Sequence, residues 1–442
     1  MLNEAHDFPR TAGIYTLGCK VNQYESEAIA EALQAQGFTI LPFSSKCSIY
    51  IINTCTVTAE SDRKARQFIR RAITMNPDAG IIVTGCYVQA SPEAVEAIVG
   101  VDAVIGNREK MRVVDAALAY LEKHEKRSSP DVAVPSLSGA CFEPMSITRF
   151  DRTRAYVKIE DGCESRCTYC IIPNARGDIR SKPFLEVLRE VQTLTENGCP
   201  EIVLTGIETA SYGKDLGDTT LADLLVAVDR IPGIGRVRLG SLDPSLIRPA
   251  FVEKIASLKS LAPHFHLSMQ SGSSSVLRRM KRKYNREQAL NAMRLLREAI
   301  PTVQFTTDII VGFPGETEEE FEDTVSLISS GRFLMTHIFP YSKRKGTPAA
   351  EMDGQVPEEV KRSRLHRLEE IARRAEREIL EEAVRMGEPT KVLFETYHDG
   401  IAHGHTANFL EASVASPVPL DGETREVKLT GTDGAVCYGD LL

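Results

Sequence analysis

Three cysteines fall within eight residues, Cys163, Cys167 and Cys170, in the stretch Glu160-Asp161-Gly162-Cys163-Glu164-Ser165-Arg166-Cys167-Thr168-Tyr169-Cys170. Glycine and small polar residues around them suit a loop that wraps an inorganic core. A cubane iron–sulfur cluster takes four thiolates, so a lone triad can hold three irons and leave the fourth open to a substrate. A structural zinc site instead closes with four ligands, as two cysteine pairs or a cysteine pair with a histidine pair. No histidine or fourth cysteine lies close by in the chain, which favours the iron–sulfur reading over zinc.

A second set of cysteines is spread out but regular. Cys19 follows Gly13-Ile14-Tyr15-Thr16-Leu17-Gly18, Cys55 follows Ser48-Ile49-Tyr50-Ile51-Ile52-Asn53-Thr54, and Cys86 follows Ile81-Ile82-Val83-Thr84-Gly85. Each ends a predicted strand. Helical patterns at 22–36, 58–75 and 91–99 alternate with those strands, the signature of a parallel sheet with crossover helices. Ligands of such sheets sit beyond the carboxyl ends of the strands, so these cysteines can converge on one ligand. Any one of them alone reads as a buried small hydrophobe; three at equivalent strand ends read as a second cluster site. The other four, Cys47, Cys141, Cys199 and Cys437, share no spacing and read as structural.

The chain has 442 residues, 42% of them hydrophobic, enough for about three domains. Ten cysteines in this length are too sparse for a disulfide scaffold. The start, MLNEAHDFPRTAG, lacks a charged-then-apolar signal pattern, and no run of eighteen apolar residues occurs. A cytoplasmic protein with no membrane span is expected, in a compartment that keeps thiols reduced.

The expected boundaries are an amino-terminal α/β domain over 1–125, a linker over 126–150, a central domain over 151–355, a connecting helix over 356–387 and a small barrel over 388–442. The linker reading rests on lost periodicity from His124 through Pro144. In the central domain, candidate strands at 155–159, 201–205, 236–240, 264–268, 303–311 and 335–340 alternate with helical patterns such as Phe184 to Asn197 and Thr317 to Ser330. Six such units predict a partial βα barrel. The cysteine triad follows its first strand, where sites of βα barrels are built. Polar groups end the next strands: Gly206 and Glu208, Ser241, His266 and Gln270, then Asp308 and Gly312. Taken singly, each is ordinary turn chemistry.

The connecting helix repeats Val360, Leu365, Leu368, Ala372, Ala375, Ile379 and Ala383 at helical steps, opposite a face of mixed charge that reads as solvated. In the tail, candidate strands at 391–395, 406–410 and 426–429 predict a small antiparallel barrel. It holds nine acids against three bases, a poor surface for tracking phosphates. Two basic runs offer alternatives: Arg278 to Arg286, with six positive charges in nine residues and Tyr284 able to stack a base, and Arg63 to Arg71. Such runs are more often solvated faces.

With these motifs in view, the chain resembles the radical S-adenosylmethionine (SAM) enzymes, whose C-x3-C-x2-C loop leaves one iron to chelate the methionine moiety. Tyr156 to Gly177, YVKIEDGCESRCTYCIIPNARG, looks like the methylthiotransferase branch. TLGCKVNQYESE, INTCTVT and VTGCYVQ resemble its three amino-terminal ligand motifs, and HLSMQSG, TDIIVGFPGET and YSKRKGTPAA its barrel motifs. The resemblance implies two [4Fe-4S] clusters, on Cys163, Cys167 and Cys170 and on Cys19, Cys55 and Cys86. It also implies SAM contacts at Gly206, Glu208, Ser241, His266, Gln270, Asp308 and Gly312, with Glu208 in a degenerate methionine-amine motif. Tyr341, Lys343 and Arg344 become candidates for lining the gap between clusters, with packing of the last barrel loop an equal alternative; no side chain is assigned as catalytic acid or base. The tail sits where the family carries a TRAM-like RNA-binding barrel.

Among subfamilies, GCKVNQYESE, SDRKARQ and NPDAGIIVTGCYVQ look most like the type acting on N6-threonylcarbamoyladenosine at position 37 of tRNA. The implied reaction installs CH3-S at ring carbon 2 through a 5′-deoxyadenosyl radical, on a base drawn out of the anticodon loop. A flavodoxin or ferredoxin donor is implied, and a monomer is expected. A ribosomal-protein aspartate methylthiotransferase, an enzyme for isopentenyladenosine-37 tRNA and a non-enzymatic metal scaffold remain the alternatives.

Overall fold

The computed structural model describes residues 9–123, 126–150 and 152–442. Residues 1–8, which carry most of the stretch tested for a signal pattern, and His124 and Glu125 at the start of the linker stretch lie outside the described residues. Among the described residues, no helix is long and apolar enough to cross a membrane.

The amino-terminal unit is a parallel sheet of six strands, in the spatial order Thr39–Leu41, Thr11–Thr16, Ile49–Thr54, Gly80–Gly85, Ala103–Ile105 and Asp131–Ala133. Its central strands IYIINT and GIIVTG are buried at every position, as continuous apolar runs in a helix-covered parallel sheet must be. The sixth strand, Asp131–Ala133, falls inside the stretch read as a linker. The helix expected at 91–99 is instead two short ones, Cys86–Ala90 and Pro92–Glu96. Pro92 lacks the N–H needed to continue the first helix and sits naturally in the first turn of the second.

The central unit has six parallel strands: Arg154–Lys158, Glu201–Thr205, Arg236–Leu239, His264–Gln270, Gln304–Val311 and Met335–Pro340. They form two three-stranded sheets joined by parallel bridges Val237 to Leu261 and Leu242 to Leu267. The result is the expected partial βα barrel.

The carboxy-terminal unit is a closed barrel of Thr390–His398, Ile401–Thr406, Glu411–Ala415, Thr424–Thr432 and Cys437–Leu441. Four of its pairings are antiparallel, but Glu411–Ala415 runs parallel to Cys437–Leu441. The strand expected at 406–410 is a correction: Thr406 ends one strand, and 407–410 form a tight turn in which Phe409 takes φ 78°. This turn plugs the strand-start end of the central barrel. Phe409 stacks between His264 and His405 at 4.6 Å each, under the Arg238 guanidinium.

The connecting helix Glu358–Met386 corrects another reading. Val360 is exposed, whereas Lys361 and Arg364, assigned to a solvated face, are buried. Arg364 pairs with Glu316 at 2.8 Å, and Lys361 donates to the Tyr341 carbonyl at 3.2 Å. Ion pairing beneath the helix start overrides its apolar periodicity.

A buried charge network locks the first two units together. Glu25, on helix Lys20–Ala35, accepts from Lys110, from Lys158 at 2.7 Å and from Arg176 at 2.5 Å. Asp161 completes it, pairing with Lys158 at 2.7 Å and Arg180 at 3.3 Å. Burial opposes the charge on Glu25, yet the cations of Arg176, Lys110 and Lys158 hold its carboxyl well below the usual range. Nearby, Tyr24 and Ala28 of the same helix join the core of the central unit. Removing one charge from such a group leaves its partners buried and uncompensated, which costs about 3–5 kcal/mol. Glu25→Gln is expected to lower stability by about that amount in urea titration of the purified chain, whereas Glu60→Gln, in an exposed pair with Arg63, leaves the midpoint unchanged.

Candidate active site

Each amino-terminal cysteine sits just beyond a strand end. Cys19 is the N-cap of helix Lys20–Ala35, Cys55 follows Ile49–Thr54, and Cys86 opens helix Cys86–Ala90. Asn22 clamps two of the loops, donating to the carbonyls of Leu17 at 2.7 Å and Thr54 at 3.0 Å. Gly18, at φ +102°, is packed so tightly that an added Cβ would lie 2.8 Å from Cys55 Cβ. The Cys86 sulfur accepts from Arg176 Nε at 3.1 Å, so the docking arginine also touches this set.

The triad loop turns out of the first barrel strand. Cys163 donates to Glu208 at 3.2 Å, Ser165 Oγ donates to the same carboxylate at 2.7 Å, and Lys283 pairs with it at 2.9 Å. Arg282 donates to the Cys167 sulfur at 3.2 Å and pairs with Asp243 at 2.9 Å. Burial, with the Glu208 charge second, pushes the Cys163 thiol up to about 12, and burial takes Cys55 to about 12 and Cys170 to about 11. As free thiols these groups hold their protons at neutral pH and must release them to bind metal.

Members of both sets meet at one space. A cavity of about 440 Å³ is lined by Cys19 from the first unit and by Cys163, Cys167 and Cys170 from the second. Gly206, Glu208, Ser241, Gln270, Asp308 and Tyr341 line it too, so much of the residue set read from sequence is brought together. Gln270 holds φ 64°, a left-handed backbone that a non-glycine residue adopts at a cost.

Other candidates fall elsewhere. His266 lies one layer below the cavity, against Asp308 at 3.1 Å. Gly312 donates its N–H to Glu316 and abuts Lys361 rather than the cavity. Arg344 is held by Asp62 at 2.8 Å and Thr56 at 2.7 Å, tying the last barrel loop to helix Ala59–Met75, and Lys343 is exposed outside the lining. Tyr284, expected to stack a base, is a correction: it is buried, with its hydroxyl donating to the carbonyls of Ser268 and Met269. The basic run around it is largely neutralised, since Arg279, Arg282, Lys283 and Arg286 pair with Glu320, Asp243, Glu208 and Asp323. Arg282 was not legible as a site residue, because its partners Cys167 and Asp243 are distant in sequence.

Single ions need ligand atoms packed closely. Among the described residues, the group with all ligand atoms within 4.8 Å is His266, Asp308 and His337. Neither cysteine triad is drawn that tight. The donor chemistry and the shared cavity fit a thiolate-held cluster at the first barrel strand and a zwitterionic ligand beside Glu208.

A partial βα barrel with such a loop at its first strand end defines a radical SAM enzyme. The Radical SAM superfamily model matches residues 157–328, and a model described as Uncharacterized protein family UPF0004 matches residues 11–106. The chain is 41% identical to threonylcarbamoyladenosine tRNA methylthiotransferase MtaB of Bacillus subtilis, over 95% of this chain and 93% of that one. It is 38% identical to the MtaB of Thermotoga maritima, over 98% of each. A tRNA-2-methylthio-N(6)-dimethylallyladenosine synthase of Acetivibrio thermocellus is 35% identical, over 94% of this chain and 87% of that one. Among solved structures, the radical SAM methyltransferase TsrM of Kitasatospora setae has a similar fold, with TM-score 0.58, 17% identity and 77% coverage of each chain.

The chain belongs to the radical SAM methylthiotransferase family. It is therefore a transferase that uses SAM and a [4Fe-4S] cluster.

The triad loop has one residue that tolerates no side chain. Gly162, at φ +89°, would place a Cβ 1.9 Å from the Asp178 carbonyl oxygen. Gly162→Ala is expected to displace Cys163 and to lower iron content after anaerobic reconstitution by about four per chain, measured by colorimetric iron assay.

Proposed function

We propose that this enzyme methylthiolates ring carbon 2 of N6-threonylcarbamoyladenosine at position 37 of tRNA, in the cytoplasm, using two [4Fe-4S] clusters. The observation that carries the reading is the single cavity lined by Cys19 of the amino-terminal set and by all three cysteines of the barrel triad. Relatives named for this activity match nearly the whole chain. Cys163, Cys167 and Cys170 hold one cluster with an iron left for SAM, and Cys19, Cys55 and Cys86 hold the other. When bound, the clusters and SAM supply reductive cleavage and carriage of the transferred sulfur, chemistry that acid and base side chains lack.

The residues around the cavity have distinct tasks. With Cys163 bound to iron as a thiolate, its hydrogen bond to Glu208 would be lost, and that carboxylate, still held by Ser165 and Lys283, would have an acceptor position for the SAM ammonium. Ser241 and Gln270 offer hydrogen-bonding groups on the opposite wall. Arg282 holds a positive charge against Cys167, which favours the reduced form of the cluster. Arg176 does the same at Cys86. A low-potential donor of the flavodoxin or ferredoxin type supplies the electron, and the enzyme works as a monomer.

The target base enters past Val57 and Thr58 and the loop after the last barrel strand, all at the cavity wall. Exposed Lys64, Lys343 and Lys345 flank that opening, joined across the two units by the Arg344 to Asp62 pair. RNA phosphates meet these groups rather than the acidic carboxy-terminal barrel.

Nucleosides from a strain lacking the gene are expected to lose 2-methylthio-N6-threonylcarbamoyladenosine and to regain it on complementation, as read by mass spectrometry. Unchanged levels of that nucleoside, with loss of the dimethylallyl analogue or of a methylthiolated ribosomal aspartate, would contradict the proposal.

A further inference from the structure

On its barrel side the cavity is lined by Asp308, and His266 and His337 lie against that carboxylate. Ile310 and Phe339 are register partners at the cavity wall; two residues earlier in each strand, Asp308, which also lines the cavity, is paired with His337. The alternation of a strand puts these four side chains on one face. His266 adds a third group beside Asp308 and His337, with its ring against Asp308 at 3.1 Å and stacked 6.0 Å from His337.

Lys20 reaches the same place from the other unit. It follows Cys19, and its charge is felt by Asp308, Arg238, Arg154, His264 and His337. It is exposed and makes no hydrogen bond or ion pair with another described residue, and Cys19 before it lines the same cavity as Asp308. The fixed charges here are Lys20, Arg154, Arg236 and Arg238 against Glu201, Glu395 and Asp308, and the three arginines are all engaged by Glu201. These sum to one net positive charge, and of the four cations Lys20 is the one without an ion pair to a described residue. Although His266, Asp308 and His337 have the spacing of a cation site, that excess favours an anion.

We propose that Lys20, His337 and Asp308 form the subsite for the N6 substituent of the target base, and that Lys20 sets the preference for an anionic threonylcarbamoyl group over an apolar dimethylallyl group. This deepens the activity proposed above and rests on it. The threonylcarbamoyl group carries a carboxylate to pair with Lys20 and His337. Its hydroxyl and carbamoyl N–H can both donate to Asp308. With the base against Phe339 at the mouth, which is 46% exposed, the substituent reaches toward His337, two residues earlier in the same strand. A dimethylallyl group in that position would leave the three polar groups unpaired. Sites built to hydrogen-bond a substituent reject the analogue that lacks it by large factors.

The test uses anaerobically reconstituted full-length enzyme and three anticodon stem-loop RNAs. These carry N6-threonylcarbamoyladenosine, its carboxyl methyl ester, or N6-dimethylallyladenosine at position 37. Wild-type enzyme is expected to prefer the acid to the ester by about ten- to a hundredfold in kcat/KM. Lys20→Met is expected to lower kcat/KM for the acid to the level of the ester, while Lys20→Arg keeps the preference and both variants keep wild-type iron content. A methionine variant that loses equally on acid and ester, or a wild-type enzyme indifferent to esterification, would overturn the subsite. A wild-type enzyme active on the dimethylallyl RNA alone would overturn the proposed function itself.

Discussion

The architecture depends on one buried carboxylate. Glu25 sits at the junction of the two larger units and is held by Lys110, Lys158 and Arg176, each buried and each from a different stretch of chain. Arg176 binds in three further directions, to Asn22, Asp161 and the Cys86 sulfur. Asn22 in turn fixes the loops of Cys19 and Cys55. One connected set of hydrogen bonds therefore docks the units and positions three cysteines. In a low-dielectric interior such a network is costly when any member is missing and rigid when all are satisfied. A site shared between two sheets needs that rigidity, since a small slip between the units would change the width of the cavity.

The other end of the central barrel is closed differently. Its strand starts carry Arg154, Arg236 and Arg238 around Glu201, whose carboxyl they hold down at about 2 against its burial. The carboxy-terminal barrel caps this end through Glu395 on Arg154 and Phe409 on His264. Its acidity is thus partly a matter of docking onto arginines. The carboxy-terminal barrel thus covers the strand-start end of the central barrel, opposite the cysteines.

What the sequence made legible was what lies local in the chain. Alternating apolar runs located the six parallel strands of the central unit to within a few residues, and strand-end position grouped Cys19, Cys55 and Cys86 before any contact was known. What stayed hidden was pairing at a distance. Glu25 and Arg176 are 151 residues apart, and each looks like a surface residue in its own window. Arg278 to Arg286 read as a basic patch because Glu320, Asp243, Glu208 and Asp323, which pair with four of its six cations, come from other elements. The helix at Glu358–Met386 was assigned the wrong inward positions at its start for the same reason: Glu316 selects Arg364 for burial, and periodicity of apolar residues carries no trace of it.

The central claim is that two incompletely ligated clusters face one another across the cavity joined by this network. The most direct measurement is iron content together with product analysis for the Cys19→Ala, Cys55→Ala, Cys86→Ala triple variant after anaerobic reconstitution. The account predicts about four irons per chain in place of about eight, SAM still cleaved to 5′-deoxyadenosine, and no methylthiolated tRNA. Iron content equal to that of the unaltered enzyme would contradict it.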